Sequence, residues 1–157
     1  MTTGTGNGGA AAGADIDFGT YQAQNNAGSI TKRNTGGVSG GVQVKCSKST
    51  PFSIGMASGN LSNNTGAGSM KSSSSSNLDT IPYQLYQPTL GSSGGTSPAT
   101  SLVWGSDTTS GTSNVVQSTG QGMGTTLNFP VFATIAAHKF DKLPDSYSDQ
   151  VTVTVNY

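Results

Sequence analysis

Three observations predict an all-β sandwich. Short segments alternate apolar and polar residues with period two, most plainly Val151, Val153, Val155 and Tyr157 against Gln150, Thr152, Thr154 and Asn156, the pattern of a strand with one buried face. Between such segments lie stretches rich in Ser, Thr and the 23 glycines, which suit polar turns rather than helices. All seven acidic residues are Asp, and the missing Glu is the better helix former of the two. With 157 residues the chain suits one domain with a substantial core.

The elements follow in order. Residues 1–14 are Gly, Thr, Ala and Asn with Met1 and no apolar alternation, so they read as a flexible, linker-like segment, and the domain proper as 15–157. Asp15–Tyr21 alternates and is the first expected strand; 22–37 reads as a loop. Gly41–Cys46 is a second strand with Val42, Val44 and Cys46 on one face. After the turn at Ser47–Pro51, Phe52–Met56 is a third with Phe52, Ile54 and Met56 inward, and the two together read as a hairpin. Ser69–Lys71 suits a short edge strand, and the serines 72–76 a surface turn. Ile81, Tyr83 and Leu85 share a face of the next strand, which Pro82 should delay or confine to a sheet edge because it lacks an N–H. Residues 91–101 read as loop, then Leu102–Gly105 is a brief apolar segment and Val115–Gln117 a short strand. Thr125–Ala136 alternates Leu127, Phe129, Val131, Ala133 and Ile135 as one strand, and 137–150 connects to the terminal one. About seven or eight short strands with turn signals between them make a sandwich.

Composition narrows function. Only 9% of residues are charged and the net charge is zero, so no basic patch exists to neutralise phosphates and nucleic acid is not an expected partner. The pair Lys32–Arg33 reads as solvated loop. No apolar run approaches the roughly 18 residues that span a bilayer. The first nine residues carry neither a basic nor an apolar region, so they are no signal peptide; either the protein stays in the cytoplasm or its export signal is cut away. Cys46 is the single cysteine, which rules out an internal disulfide or a cysteine-rich zinc site and leaves a buried, inert thiol.

No catalytic residue is assigned. His138 is the only histidine, no Gly-x-Ser-x-Gly elbow accompanies it, and an exposed loop position suits it best. One His and one Cys make no usual transition-metal site, and Asp145 and Asp149 around Tyr147 fit no calcium loop. Gly4–Gly9 follows no strand and is no phosphate cradle. Neither metal nor cofactor is expected, and the chain reads as a non-enzyme. Asn60 and Asn63 begin glycosylation sequons, relevant only in a glycosylating host.

The terminal strand raises the main question, since an uncharged, β-prone strand should not remain a bare edge. Its neighbour comes from this chain or from another molecule. An ordered series of anchors addresses this: Phe18-Gly19-x-Tyr21, Val42-x-Val44-x-Cys46, Pro51-Phe52-x-Ile54, Tyr83-x-Leu85-Tyr86, Trp104-Gly105, and Ser146-Tyr147-x-Asp149-x-Val151-x-Val153-x-Val155-x-Tyr157. Over about residues 15–157 this series resembles the spore coat protein U domain, a group that includes subunits of archaic chaperone–usher pili.

The resemblance implies an incomplete immunoglobulin-like β-sandwich of six or seven strands of its own, completed by a donor strand from the next subunit and, before assembly, by a periplasmic chaperone. An outer-membrane usher, secretion through the periplasm to an extracellular fimbrium, and a part in cell adhesion or biofilm go with it. On this reading Val151, Val153 and Val155 line an acceptor groove, Ile16 and Phe18 lie across it, and the Tyr157 carboxylate is where basic chaperone residues anchor. Two features depart from the family's pattern. The cysteine that usually precedes Phe-Gly-x-Tyr and pairs with the counterpart of Cys46 is absent, and that bridge is worth about 2–5 kcal/mol. Residues 1–14 also lack the bulky alternating side chains of a donor. As a native end this suits a subunit that receives without donating, such as one at a tip; as a cut end it means the donor is gone. Two alternatives stay open: a spore or cell-surface coat component of the same fold, and a self-contained carbohydrate-binding sandwich using Tyr86 and Trp104.

Overall fold

In the computed structural model, residues 15–24, 28–36, 40–89, 94–109 and 111–157 are described, so the segment 1–14 lies outside the described residues. The described chain is all-β with no α-helix. Its strands are β1 (Ile30–Arg33), β2 (Val42–Val44), β3 (Pro51–Ser58), β4 (Ala67–Ser72), β5 (Thr80–Pro88), β6 (Pro98–Val103), β7 (Val116–Thr119), β8 (Leu127–Phe129), β9 (Phe132–Ile135), β10 (Tyr147–Ser148) and β11 (Val151–Asn156).

They form antiparallel sheets in a curled, sandwich-like arrangement. A six-stranded sheet runs β1-β9-β5-β4-β10 with β6 also on β5; a three-stranded sheet runs β11-β3-β7; β2 pairs with β8. The core between them contains Ile54 and Met56 of β3, Leu85 of β5, Phe129 of β8, Ile135 of β9 and Trp104, all essentially inaccessible to water. Each such burial stabilises by about 1.5–3 kcal/mol. The surface ion pair Lys142–Asp79, at 3.8 Å, offers about 0–1 kcal/mol. Apolar burial decides this fold.

The inward faces read from the period-two pattern hold. Phe52, Ile54 and Met56 are buried, as are Ile81, Tyr83 and Leu85. Val44 and Cys46 are buried too, with the Cys46 thiol free.

Several expectations are corrected. Asp15–Tyr21 is not a strand: the Asp17 carboxylate accepts the Gly19 N–H at 2.8 Å and Gly19 takes φ +84°, a local turn that breaks the extended run. The segment 22–37 is not all loop, because β1 lies within it, and Lys32 and Arg33 are strand residues. The expected hairpin of the second and third strands does not form. Ser49 turns the chain at φ +64°, after which β2 pairs with β8 while β3 pairs with β11 and β7.

Strand β4 is longer than Ser69–Lys71 and interior, between β5 and β10. Strand β5 is likewise interior despite Pro82. Leu85 N–H donates to Gly66 O on the β4 side at 2.9 Å, so by alternation the Pro82 nitrogen faces the β9 side. There β9 pairs only with Gln84, Leu85 and Tyr86, and Pro82 interrupts no ladder bond. Residues 98–101, expected as loop, begin β6, and 147–148 form β10 within the expected connection.

The run Thr125–Ala136 divides at Pro130 into β8 and β9. Pro130 to Ala133 are all buried, so alternation fails where the chain bends. Asn34 carries the pairing across this break: its N–H donates to Val131 O at 3.0 Å and its Oδ1 accepts the Val131 N–H at 3.0 Å. Asn34 is itself buried.

Candidate functional site

Strand β11 is a sheet edge. It pairs with β3 along its whole length and has no second neighbour among the described residues. On the far side β3 is covered: β7 pairs with Pro51–Ile54, Met56 N–H donates to Gly105 O at 2.8 Å, and Trp104 Nε1–H donates to Ile54 O at 2.9 Å. Strand β3 is thus partnered on both sides, and β11 and β7 are the two edges of this sheet among the described residues.

The cross-strand pairs show how much cover is missing. Val151 stands opposite Ser58, Val153 opposite Met56 and Val155 opposite Ile54. Each β3 residue is at most 1% exposed, whereas each valine is only half-buried. Cross-strand partners share a face of the sheet. The three valines thus point inward without a full roof.

A groove of about 410 Å³ runs beside this edge. Val151 and Val153 of β11, Gly41 and Val42 at β2, and Met70, Leu85 and Ala133 all line it. Ile16 and Phe18 also line it, and both extend into an adjoining depression floored by Ile81, Ile135 and Phe140. The segment carrying them is tied down at its ends, by Thr35 N–H to Asp15 O at 2.8 Å and by the bridge between Gln24 and Phe140. Tyr21 packs on Phe140 with ring centroids 5.3 Å apart.

Of the six residues proposed from sequence, Ile16, Phe18, Val151 and Val153 come together around this groove. Val155 packs at the rim of the core instead. Tyr157 is 69% exposed and borders a separate open depression with Phe52 and Gln117.

One end of the groove is polar, and sequence reasoning did not place it. Here Asp149 accepts Tyr83 O–H at 2.8 Å and Ser58 Oγ–H through Oδ2, and the backbone N–H groups of Asn60 at 3.1 Å and Gln150 at 2.8 Å through Oδ1. Burial, and then the Asp149 carboxylate, push the Tyr83 phenol well above its usual range, so it remains a proton donor at any ordinary pH. The Tyr147-x-Asp149 pair was the available signal, but its contacts arrive from strands far away in sequence.

Just before it, Tyr147 O–H donates to Leu143 O at 2.6 Å and accepts from Asn77 Nδ2 at 3.1 Å, the bond pattern of the tyrosine corner in immunoglobulin-like sandwiches. Asp145 accepts from the Ser72 and Ser73 hydroxyls and the Ser146 N–H, which hold its carboxyl well below the usual range.

No group of three or more metal-ligating side chains occurs among the described residues, and no described helix is long and apolar enough to cross a membrane. His138 is exposed in a turn at φ +62°. Trp104 is wholly buried and bonded through its indole N–H, so it offers no face to a sugar.

No curated protein matches the chain. The family comparison does match, over nearly all of it, to a family associated with chaperone–usher pilus and coat subunits. On the match across residues 3–154, the chain belongs to the Spore Coat Protein U domain family.

Proposed function

We propose that this protein is a structural subunit of an archaic chaperone–usher pilus, joined to its neighbours by donor-strand complementation at the β11 edge. One observation carries the reading: Val151, Val153 and Val155 are half-covered while their β3 partners are wholly covered, and Val151 and Val153 line a groove with Ile16, Phe18, Val42, Met70, Leu85 and Ala133. A strand entering there would complete the main-chain bonds of β11 and place alternate side chains among the valines, the β-augmentation mode of recognition. Each buried aliphatic side chain of the guest adds about 1.5–3 kcal/mol, enough for a slowly opening joint when several act together. None of β3, β7 and β11 carries a charged residue, so nothing along that sheet repels a guest strand.

Family membership supports the rest: a periplasmic chaperone that holds the groove before assembly, an outer-membrane usher, display at the cell surface, and a role in attachment or biofilm formation. The function is structural rather than enzymatic. A coat component of the same fold would use the same edge without building a fibre.

The test is binding of a lysine-ended synthetic peptide that alternates Val and Thr. The chain should take it up with a gain in thermal stability, as ligands specific for the folded state produce. A stable monomer that ignores the peptide at high concentration would overturn the proposal.

A further inference from the structure

The groove's polar end has a geometry that the strand-receiving reading leaves unused. Asp149 sits where the chain leaves the six-stranded sheet, in which β10 pairs with β4, and joins the three-stranded sheet, in which β11 pairs with β3. Its Oδ2 is held from both sheets at once, by Tyr83 of β5 and Ser58 of β3. Its Oδ1 is held by the turn after β3, through the Asn60 N–H.

The surroundings are built to the same end. A Cβ at Gly68 would lie 2.0 Å from the Tyr83 ring, so only glycine lets that ring cross β4 and aim its hydroxyl at Asp149. A Cβ at Gly59 would lie 2.7 Å from Gln150 O, the same oxygen that accepts the Gly59 N–H at 2.7 Å. Asn60 Nδ2 donates to Ser69 O of β4 at 2.8 Å, which adds a second tie between the sheets. Tyr83 and Asp149 both line the groove.

We propose that Asp149 and Tyr83 are a positioning pair that sets the spacing of the two sheets at one end of the groove, and so holds β11 ready to receive a strand. The inference rests on the strand-receiving reading above. A carboxylate with four partners drawn from both sheets is a rigid strut, whereas the apolar walls beyond it can slide and close over an empty groove. Without the strut, β11 is free to lean toward the opposite sheet and bury its own valines, and a guest strand must first reopen the space.

The experiment compares affinity for the Val/Thr peptide in wild type, D149N, Y83F, the double variant and N114A. Asn114 bonds Asn64 O and Asp107 N–H in loops that do not line the groove, so N114A controls for lost stability. Affinity is measured on folded protein, and stability separately by thermal unfolding. D149N should weaken binding roughly tenfold or more, about the effect of losing one charge-assisted hydrogen bond, and Y83F less. The double variant should be no weaker than D149N, because Tyr83 acts only through its bond to Asp149. N114A should lose stability and keep its affinity.

Wild-type affinity in D149N and Y83F overturns this inference alone. If D149N does not fold, Y83F decides by the same criterion. An equal loss of affinity in N114A also overturns it, since stability rather than position would then be the cause. Absence of peptide binding by the wild-type chain overturns the strand-receiving reading, and this inference with it.

Discussion

Strand β1 carries Lys32 and Arg33 on its exposed positions and turns one half-buried side chain, Ile30, toward the interior; strand β11 carries no charge and turns three valines there. Both are sheet edges among the described residues. Charged side chains on an edge discourage pairing with a stranger, since a second strand would have to strip their water. Thr152, Thr154 and Asn156, exposed along β11, offer no such resistance. The comparison teaches that one molecule can blunt one edge and leave another open, with a few side chains making the difference.

The strongest break in that contrast is V153K, which gives β11 the defence that β1 already has. A lysine there reaches water while the groove is empty but must be desolvated under a guest strand. Peptide affinity, read by calorimetry, should fall about a hundredfold or more, a loss larger than the drop in stability from removing one half-buried valine. Wild-type affinity in this variant would remove β11 as the receiving edge.

Next in size is N34A, which loosens the guarded edge from its sheet. Losing the side chain leaves the buried Val131 N–H without its Asn34 partner, at about 1–3 kcal/mol. Thermal unfolding should shift down by about 2–4 °C per kcal/mol for a chain of this size. Peptide binding should persist, and its loss would show that the two edges are not independent.

Alkaline titration then sharpens the anchored end of β11. Tyr83 has a folded-state pKa raised above its unfolded value by burial first and Asp149 next. Its contribution is therefore complete below about pH 10, the unfolded value, and is lost as pH rises beyond it, where only the unfolded chain gives up the proton. Y83F should show a flatter fall in stability above that pH than wild type. Parallel curves would mean that the phenol is not held as described.

The smallest effect on stability, and the most direct reversal, is K32V with R33T. Unfolding should move by no more than about 0.5 kcal/mol, yet sedimentation should reveal new self-association through β1. A chain that stays as monomeric as wild type would show that Lys32 and Arg33 do not guard that edge.

The amino-acid sequence by itself determined the all-β class, the terminal strand and the inward faces of β3 and β5, because period-two alternation is a local property that residues two apart reveal. It also made the family legible through anchors spread along the chain. It misjudged places where a local signal is overruled from afar. Pro82 sits inside a sheet because β9 stops short of it, and the alternation of 125–136 breaks because Asn34 and Pro130 bend the pairing together. Only the tertiary structure decided that residues of β2 and β11 line one groove, and that Asp149 meets Ser58 and Tyr83. Those partners lie 91 and 66 residues away along the chain. Which strand borders which is set by the burial that all of them achieve together, and no single segment carries that information.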